Sequence, residues 1–418
     1  MRFIHAADIH LDSPLTGLSA YQDAPAELLR TATRDAFENL VSVALEEQVD
    51  FMVIAGDLYD GTWRDFNTGI FFSGQMGRLR KVGIPVYLLY GNHDAESEMT
   101  KRLTLPDNVH AFSSSKAETF RHADLQVALH GRSFKVAATT ENLVHTYPDP
   151  VPGWLNIGVL HTALEGNTAH ANYAPCSVAE LHAKGYGYWA LGHVHDHRQW
   201  GGASTIAYPG NLQGRHIRET GPKGALLVTA QGQDIQSVER LVVDVLRWAV
   251  LDVDVSHANT LAEVVQSIRL GLEALVSGAE GSLTLAVRVR VAGNSPAHGH
   301  LFGLENQLRA EVLNQAAAIA PGRLWIEKVK LETQPVEQSV HVAARADAIA
   351  DLQSILSTAE DDTEFLQSLR EDLMQMVGKL PSDVLHAVPQ LEVIRNGDVR
   401  DLVRSVVPSL VAHVAKAE

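Results

Sequence analysis

Short apolar runs alternate with helical patterns through the first ninety residues. Phe3-Ile4-His5-Ala6 has the length and composition of a buried strand. From Ala26 to Glu47 apolar residues recur at Leu28, Leu29, Ala32, Ala36, Phe37 and Leu40, which mark one face of a helix, and Asp50-Phe51-Met52-Val53-Ile54 predicts the next strand. Phe66 to Val82 repeats the helix and Val86-Tyr87-Leu88-Leu89-Tyr90 the strand. The order βαβαβ predicts parallel strands in an α/β layer, because a parallel pair needs a long crossover and each helix supplies one.

From about Val109 the elements shorten. Strands are expected at Ala128 to Val136, Leu155 to Leu160, Tyr188 to Leu191, Thr205 to Tyr208 and Gly224 to Val228, with one helix at Ser177 to Gly185, so a second sheet closes this half. A boundary is expected near Asp234 to Arg240. Beyond it, Trp248 to Val255, Leu261 to Val276, Leu283 to Val291, Leu301 to Ile319 and Leu324 to Leu331 read strand, helix, strand, helix, strand. Past Gln334 the pattern is helical, with apolar faces at Ala348 to Leu356, Phe365 to Val377 and Asp401 to Ala417. The expected division is 1–240, 245–335 and 340–418.

Composition narrows the class. At 418 residues, 45% hydrophobic and 20% charged, the chain is neither disordered nor fibrous. No apolar stretch approaches the ~20 residues of a membrane span. The start lacks the apolar core of a secretory leader, and the one cysteine, Cys176, allows no internal disulfide and no cysteine zinc cage. The expectation is a cytoplasmic protein. A net charge of -16 argues against a free-standing, salt-driven nucleic-acid binder. It leaves a nuclease open, since bound cations or a partner can supply positive charge.

The twenty histidines direct attention to strand ends. Five segments finish apolar runs with metal-competent side chains: Asp8-Ile9-His10, Gly56-Asp57-Leu58-Tyr59-Asp60, Gly91-Asn92-His93-Asp94, His161-Thr162 and Gly192-His193-Val194-His195. In α/β folds the loops beyond the carboxyl ends of parallel strands meet on one edge. A single D-x-H is weak; five such segments point to a binuclear centre. Asp57 can bridge two cations, His10, His161, His193 and His195 offer nitrogen, and Asn92 a neutral oxygen. A mixed N/O set of this size suits Mn, Fe or Zn with bound water, and the reaction it fits best is phosphate-ester hydrolysis.

The series D-x-H, G-D-x-x-D, G-N-H-D, a lone His and G-H-x-H resembles the calcineurin-like metallophosphoesterases. Residues Phe3 to Asp12, Tyr188 to His195 and Tyr208-Pro209-Gly210-Asn211 are similar to the DNA repair exonuclease branch, in particular the YhaO-like group related to the SbcD nuclease subunit. That resemblance implies a two-sheet αββα sandwich with a small α/β capping domain and a helical C-terminal region. It places Asp8, His10, Asp57 and His195 around one metal, and Asp57, Asn92, His161 and His193 around the other, with Mn first and Fe or Zn as alternatives. It puts His93 opposite the scissile phosphate as a catalytic residue. Asp94 is expected to orient the His93 ring. The resemblance also implies DNA as substrate, an SMC-like coiled-coil ATPase as partner, and a homodimer. No G-x-x-x-x-G-K-[S/T] loop is present, so nucleotide-driven motion belongs to another polypeptide.

Other positions stay open at this stage. Asp60 either supports a ligand histidine or begins a turn; Asp12 is undecided. Arg215 and Arg218 read as contacts to a phosphate backbone or as solvated arginines. His197 and His216 read as surface residues. Trp63, Arg64 and Phe66 read as a substrate-facing loop or as edge packing. A small-molecule phosphodiesterase and a DNA-binding assembly subunit with a vestigial metal site are the alternatives to a nuclease.

Overall fold

The computed structural model describes residues 1–17, 26–60, 66–96, 104–164, 173–279, 281, 283–301, 303–336, 356, 358–359, 361–377, 394, 399–404 and 406–407. Trp63 and Arg64 lie outside them, as do nearly all of 348–356 and 408–417. Contacts divide the chain into two units, Met1–Ala249 with Glu280–Val287, and Val250–Ala279 with Arg288–Glu418.

The first unit holds two six-stranded sheets. One runs in the order β12(Asp234–Val242), β11(Gly224–Gln231), β1(Arg2–Ala6), β2(Phe51–Ala55), β3(Val86–Leu89), β4(Val109–Ala111). The other runs β5(Glu118–His122), β6(Val127–Gly131), β7(Leu155–His161), β8(Tyr188–Gly192), β10(Thr205–Tyr208), β9(Arg198–Trp200). Both are mixed: β1, β2, β3 and β4 pair in parallel, as do β6, β7, β8 and β10, while β11, β12, β5 and β9 join antiparallel.

Strand alternation explains the layering. Phe3, Phe51, Val53 and Leu89 point from the first sheet into a core shared with Val127, Leu129, Ile157, Val159, Tyr188 and Ala190 of the second. Phe3 stacks on Phe51 at 4.8 Å and meets the edge of Tyr188 at 5.4 Å. The intervening residues Ile4, Met52, Ile54 and Leu88 face the other way, against Phe37 and Leu40 of α1(Ala26–Glu46) and Phe72 and Met76 of α2(Phe66–Arg80). On the far side Leu160, Trp189, Leu191 and Ile206 pack with Leu181 of α4(Val178–Ala183), whose N-terminus is closed by a Ser177–Glu180 capping box. Strands apolar on both faces are what a sheet covered on both sides requires. The expected αββα sandwich is therefore the architecture found.

Three readings of the pattern differ from the structure, the first being the strand expected over Ala128 to Val136, which as β6 ends at Gly131. Asp234 to Arg240, expected as a boundary, lies within β12, which pairs antiparallel with β11. An edge strand with one open face carries polar residues at many positions, and only Ile235, Val238 and Leu241 pack against the cores, so its composition imitates a linker. The helix expected over 301–319 is two: α6(His298–Leu301) and α7(Glu305–Ile319), separated at Gly303, whose φ of 80° suits a break.

The chain continues into a three-stranded sheet, β13(Leu246–Asp254), β14(Thr284–Asn294), β15(Leu324–Gln334). Its strands are parallel, with Val255 N–H donating to Ala292 O and Ser295 N–H to Gln334 O, both at 2.9 Å. The crossovers carry α5(Leu261–Ser277) and α7. Arg290 forms a two-bond pair with Asp252 (2.5 and 2.7 Å) and Arg288 with Glu327 (2.6 and 2.6 Å). In α8(Thr363–Val377) the apolar side Leu366, Leu369 and Leu373 packs on Ala359, Val399 and Val403. No described helix is long and apolar enough to cross a membrane.

Candidate metal centre

The centre is built at the carboxyl ends of β1, β2, β3, β7 and β8. The loop after β1 keeps parallel pairing with the loop after β2: Asp8 N–H donates to Gly56 O, His10 N–H to Asp57 O and Leu11 N–H to Leu58 O, each at 3.0 Å. Asp8 (φ 49°), His10 (45°), Asp57 (52°) and His193 (103°) all occupy the left-handed region. For residues with a Cβ this costs roughly 1 kcal/mol or more apiece, a strain that the surrounding fold must hold in place. Gly91 keeps a gap that no other residue can fill, because a Cβ there would strike Asp57 Oδ1. Gly192 does the same against the Ala55 carbonyl.

Among the described residues three groups of side chains converge within 4.8 Å: Asp8, His10 and His195; Asp8, Asp57 and His161; and His10, Asp60 and His93. Asp57 stands between histidines, its Oδ2 at 3.4 Å from His161 Nε2 and 3.9 Å from His10 Nε2, while Oδ1 accepts the His93 backbone N–H at 3.0 Å. Asn92 Oδ1 lies 3.0 Å from His161 Nε2. His193 gives its backbone N–H to Asp8 (2.9 Å) and sets its ring against His161 at 5.2 Å, outside the three groups.

Tautomers show what the centre lacks. His161 Nδ1 lies 3.0 Å from Ala55 O, which only accepts, so Nδ1 carries the proton and Nε2 turns a lone pair toward the Asn92 and Asp57 oxygens. His195 Nδ1 donates to Glu219 at 2.8 Å, and its Nε2 lone pair meets His10 Nε2 at 3.3 Å and Asp8 Oδ1 at 3.8 Å. His10 Nδ1 is buried with no partner among the described residues. Lone pairs facing lone pairs in a buried pocket require cations, and borderline nitrogen with carboxylate oxygen is the donor set of divalent transition ions.

Charge states agree. Burial raises Asp8 above the usual carboxylate range and drives His10 well below that of imidazole. Burial opposes both partners of the next pair, yet His161 and His10 hold Asp57 well below its ordinary value, and Asp57 lifts His161 to about 9. Both shifts show that Asp57 favours positive charge beside it.

Around this core, Asp60 Oδ1 takes His93 Nδ1 at 3.0 Å and its Oδ2 accepts Ser13 Oγ at 2.9 Å. This bond raises the affinity of His93 for its proton. Asp94, expected to orient His93, does something else. It is buried beneath the loops and accepts backbone N–H groups of Tyr59 (2.9 Å), Gly91 (3.0 Å) and Leu58 (3.2 Å). Burial, with Asp57 beside it, lifts its carboxyl to about 7. The contact expected of Asp94 is made by Asp60. Asp12 receives both Nε (2.6 Å) and Nη2 (2.5 Å) of Arg34 and the Thr68 hydroxyl, pinning the first loop to α1 and α2.

Sequence reasoning missed Glu219, which is 7% exposed and fixes His195. Burial opposes its ionisation, but the His195 bond and nearby Arg215 hold it well below the usual range. His216 stands 3.7 Å from the same carboxylate and His197 bonds Tyr208 O at 3.0 Å, so neither is a bare surface residue. Arg218 and Phe66 are exposed.

Residues 1–197 match the family model for calcineurin-like phosphoesterases, and 248–334 match the middle domain of metallophosphoesterase YhaO. The chain belongs to the calcineurin-like phosphoesterases. It is 36% identical over 272 residues to the uncharacterized metallophosphoesterase YhaO of Bacillus subtilis, covering 64% of this chain and 66% of that one. It is 24% identical over 280 residues to the DNA double-strand break repair protein Mre11 of Sulfurisphaera tokodaii (64% and 68%), and 26% over 275 residues to that of Haloferax volcanii (64% and 58%). The first relative is therefore matched over just under two thirds of its length. Within this family the convergent carboxylates and imidazoles make a candidate dimetal centre.

Proposed function

We propose that this protein hydrolyses DNA phosphodiesters as a repair nuclease, exonuclease first, with Asp8, His10, Asp57 and His195 holding one ion and Asp57, Asn92, His161 and His193 the other. The observation that carries the reading is Asp57 Oδ2 set between His10 and His161, where one carboxylate oxygen serves both halves of the centre. Bound divalent ions, Mn foremost and Fe or Zn as alternatives, supply Lewis acidity for a water nucleophile and for phosphate charge.

His93 is the general acid. With Nδ1 committed to Asp60, its Nε2 gives a proton to the departing sugar oxygen, and the Asp60 bond favours the protonated ring. Asp94 holds the loops that carry Asp57 and Asn92. Water attacks directly, so no phosphoenzyme accumulates.

DNA as substrate is supported by the Mre11 relatives, which are DNA double-strand break repair proteins by name. The net charge of -16 favours a partner that supplies basic surface, and an SMC-like ATPase docked on the C-terminal region fits that need in a cytoplasmic complex; a homodimer is also part of the reading. The same charge favours the second reading, a small-molecule phosphodiesterase.

The test is cleavage of labelled linear and closed-circular DNA by the Mn-loaded protein, beside Asn92→Ala, His93→Ala and a small diester. Loss of turnover in both variants, with lost metal only in Asn92→Ala, is expected. Turnover of the small diester alone, not changed by the ATPase, would assign the second reading.

A further inference from the structure

Arg215 lies in the irregular segment between β10 and β11, where its carbonyl accepts Thr16 N–H at 2.9 Å from the loop after β1. Its side chain is 17% exposed, yet its donors are nearly unused. Nε is buried with no partner among the described residues. Nη1 makes one long bond, 3.3 Å to Ser13 Oγ. Nη2 stands 3.5 Å from His195 Nδ1 and 3.6 Å from Glu219 Oε1. The first cannot be a proper hydrogen bond, because that nitrogen already gives its proton to Glu219 at 2.8 Å and has no lone pair to offer. The second is beyond hydrogen-bond reach.

Two structural arginines, Arg34 and Arg288, look different. Arg34 on Asp12 and Arg288 on Glu327 each make two short parallel bonds to a carboxylate. Glu219 is not available to Arg215 in that way, since it also accepts Asn211 Nδ2 at 2.9 Å and the Arg215 backbone N–H at 2.7 Å. Arg215 is thus a largely buried cation beside His195, with its positive field felt at His10 and His93. Buried donors left unsatisfied are costly and call for an acceptor that arrives from outside.

We propose that this acceptor is the phosphoryl group of the substrate and that Arg215 is a substrate-binding residue, its Nη donors taking nonbridging oxygens of the ester under attack. A planar fork matches two phosphate oxygens, and the contact strengthens as negative charge grows on them. Ser13 ties the site together: its hydroxyl receives Arg215 Nη1 and donates to Asp60, which holds His93. Anion capture at Arg215 and alignment of the acid therefore share one hydrogen-bonded chain. The assignment rests on the phosphoesterase reading above.

The probe is tungstate, a tetrahedral dianion, titrated calorimetrically into the Mn-loaded full chain of wild type, Arg215→Gln and Arg215→Lys. Bound Mn is counted in each, and diester kcat and KM are measured. Arg215→Gln is expected to bind tungstate about 10-fold or more weakly and to lose about 10²-fold in kcat, with both Mn ions retained. Arg215→Lys, which keeps the charge without the fork, falls between them. Tungstate affinity equal to wild type in either variant would overturn the assignment, as would weakening that only follows loss of Mn. Wild type that neither binds tungstate nor cleaves a diester defeats the phosphoesterase reading itself. Wild type that does both, matched by the variants, defeats only the role of Arg215.

Discussion

Glu219→Gln separates the two ends of the metal centre. In the native protein one oxygen accepts His195 Nδ1–H at 2.8 Å, and the other accepts Asn211 Nδ2 (2.9 Å) and Arg215 N–H (2.7 Å). Every neighbour is a donor. The variant's amide has only one accepting end, so either His195 or the Asn211–Arg215 pair faces an N–H. Loss of a charge-assisted bond in a buried place costs about 1.5–3 kcal/mol. Removing the partner that orients a ligand histidine typically weakens metal binding about 10–100-fold, or about 1.4–2.7 kcal/mol. The effect should fall on one ion, because His195 belongs with Asp8 and His10 whereas His161 is oriented independently by Ala55 O. Competitive titration with a chromophoric chelator resolves the two binding steps for Mn. One step weakened by that factor with the other within about twofold is the expected result. Equal weakening of both steps, or of neither, would refute the claim that Glu219 acts through His195.

Further expectations follow from single positions. Asp60→Asn withdraws the carboxylate that raises the proton affinity of His93, so the alkaline limb of the kcat profile, where the acid loses its proton, moves to lower pH while KM changes little; an unmoved limb argues that another group is the acid. Gly91→Ala drives a Cβ into Asp57 Oδ1 and is expected to abolish Mn binding and to cost about 1–3 kcal/mol in urea unfolding, while Gly74→Ala, in α2 with open space around it, should stabilise by about 0.5–1 kcal/mol. Burial lowers His5 to about 3 through its position between Tyr188 and Leu191. The unfolded chain protonates that ring below about 6.5 and the folded chain does not, so its contribution to stability is complete above pH 6.5 and is lost as pH falls toward 3, at about 1.4 kcal/mol per unit. His5→Gln should remove that slope from unfolding free energies measured across pH 7 to 4; a stability difference independent of pH would contradict it.

Much of this site was legible because the chemistry sits at strand ends. Asp8, Asp57, Asn92, His161 and His193 each follow a run whose alternation or continuous burial already defined a parallel strand, and parallel strands deliver their ends to one edge. What could not be read is which carboxylate faces which ring. Asp94 is adjacent to His93 in sequence, but the first turn of α3(Asn92–Glu96) sends its side chain under the loops to three backbone N–H groups, and the His93 ring instead meets Asp60. Glu219 and Arg215 lie in a segment without periodicity, 24 and 20 residues beyond the histidine they approach. No spacing rule reaches that far. The edge strand β12 escaped notice because a half-open strand need not be apolar.

The claim at the centre of this account is that Asp57 bridges two ions. Electron paramagnetic resonance of the protein loaded with two equivalents of Mn tests it most directly, since ions held about 3.5–4 Å apart by one carboxylate are magnetically coupled. A coupled multiline spectrum that gives way to isolated six-line Mn in Asp57→Asn is the expected result. Isolated six-line Mn in the wild type at full loading would contradict it.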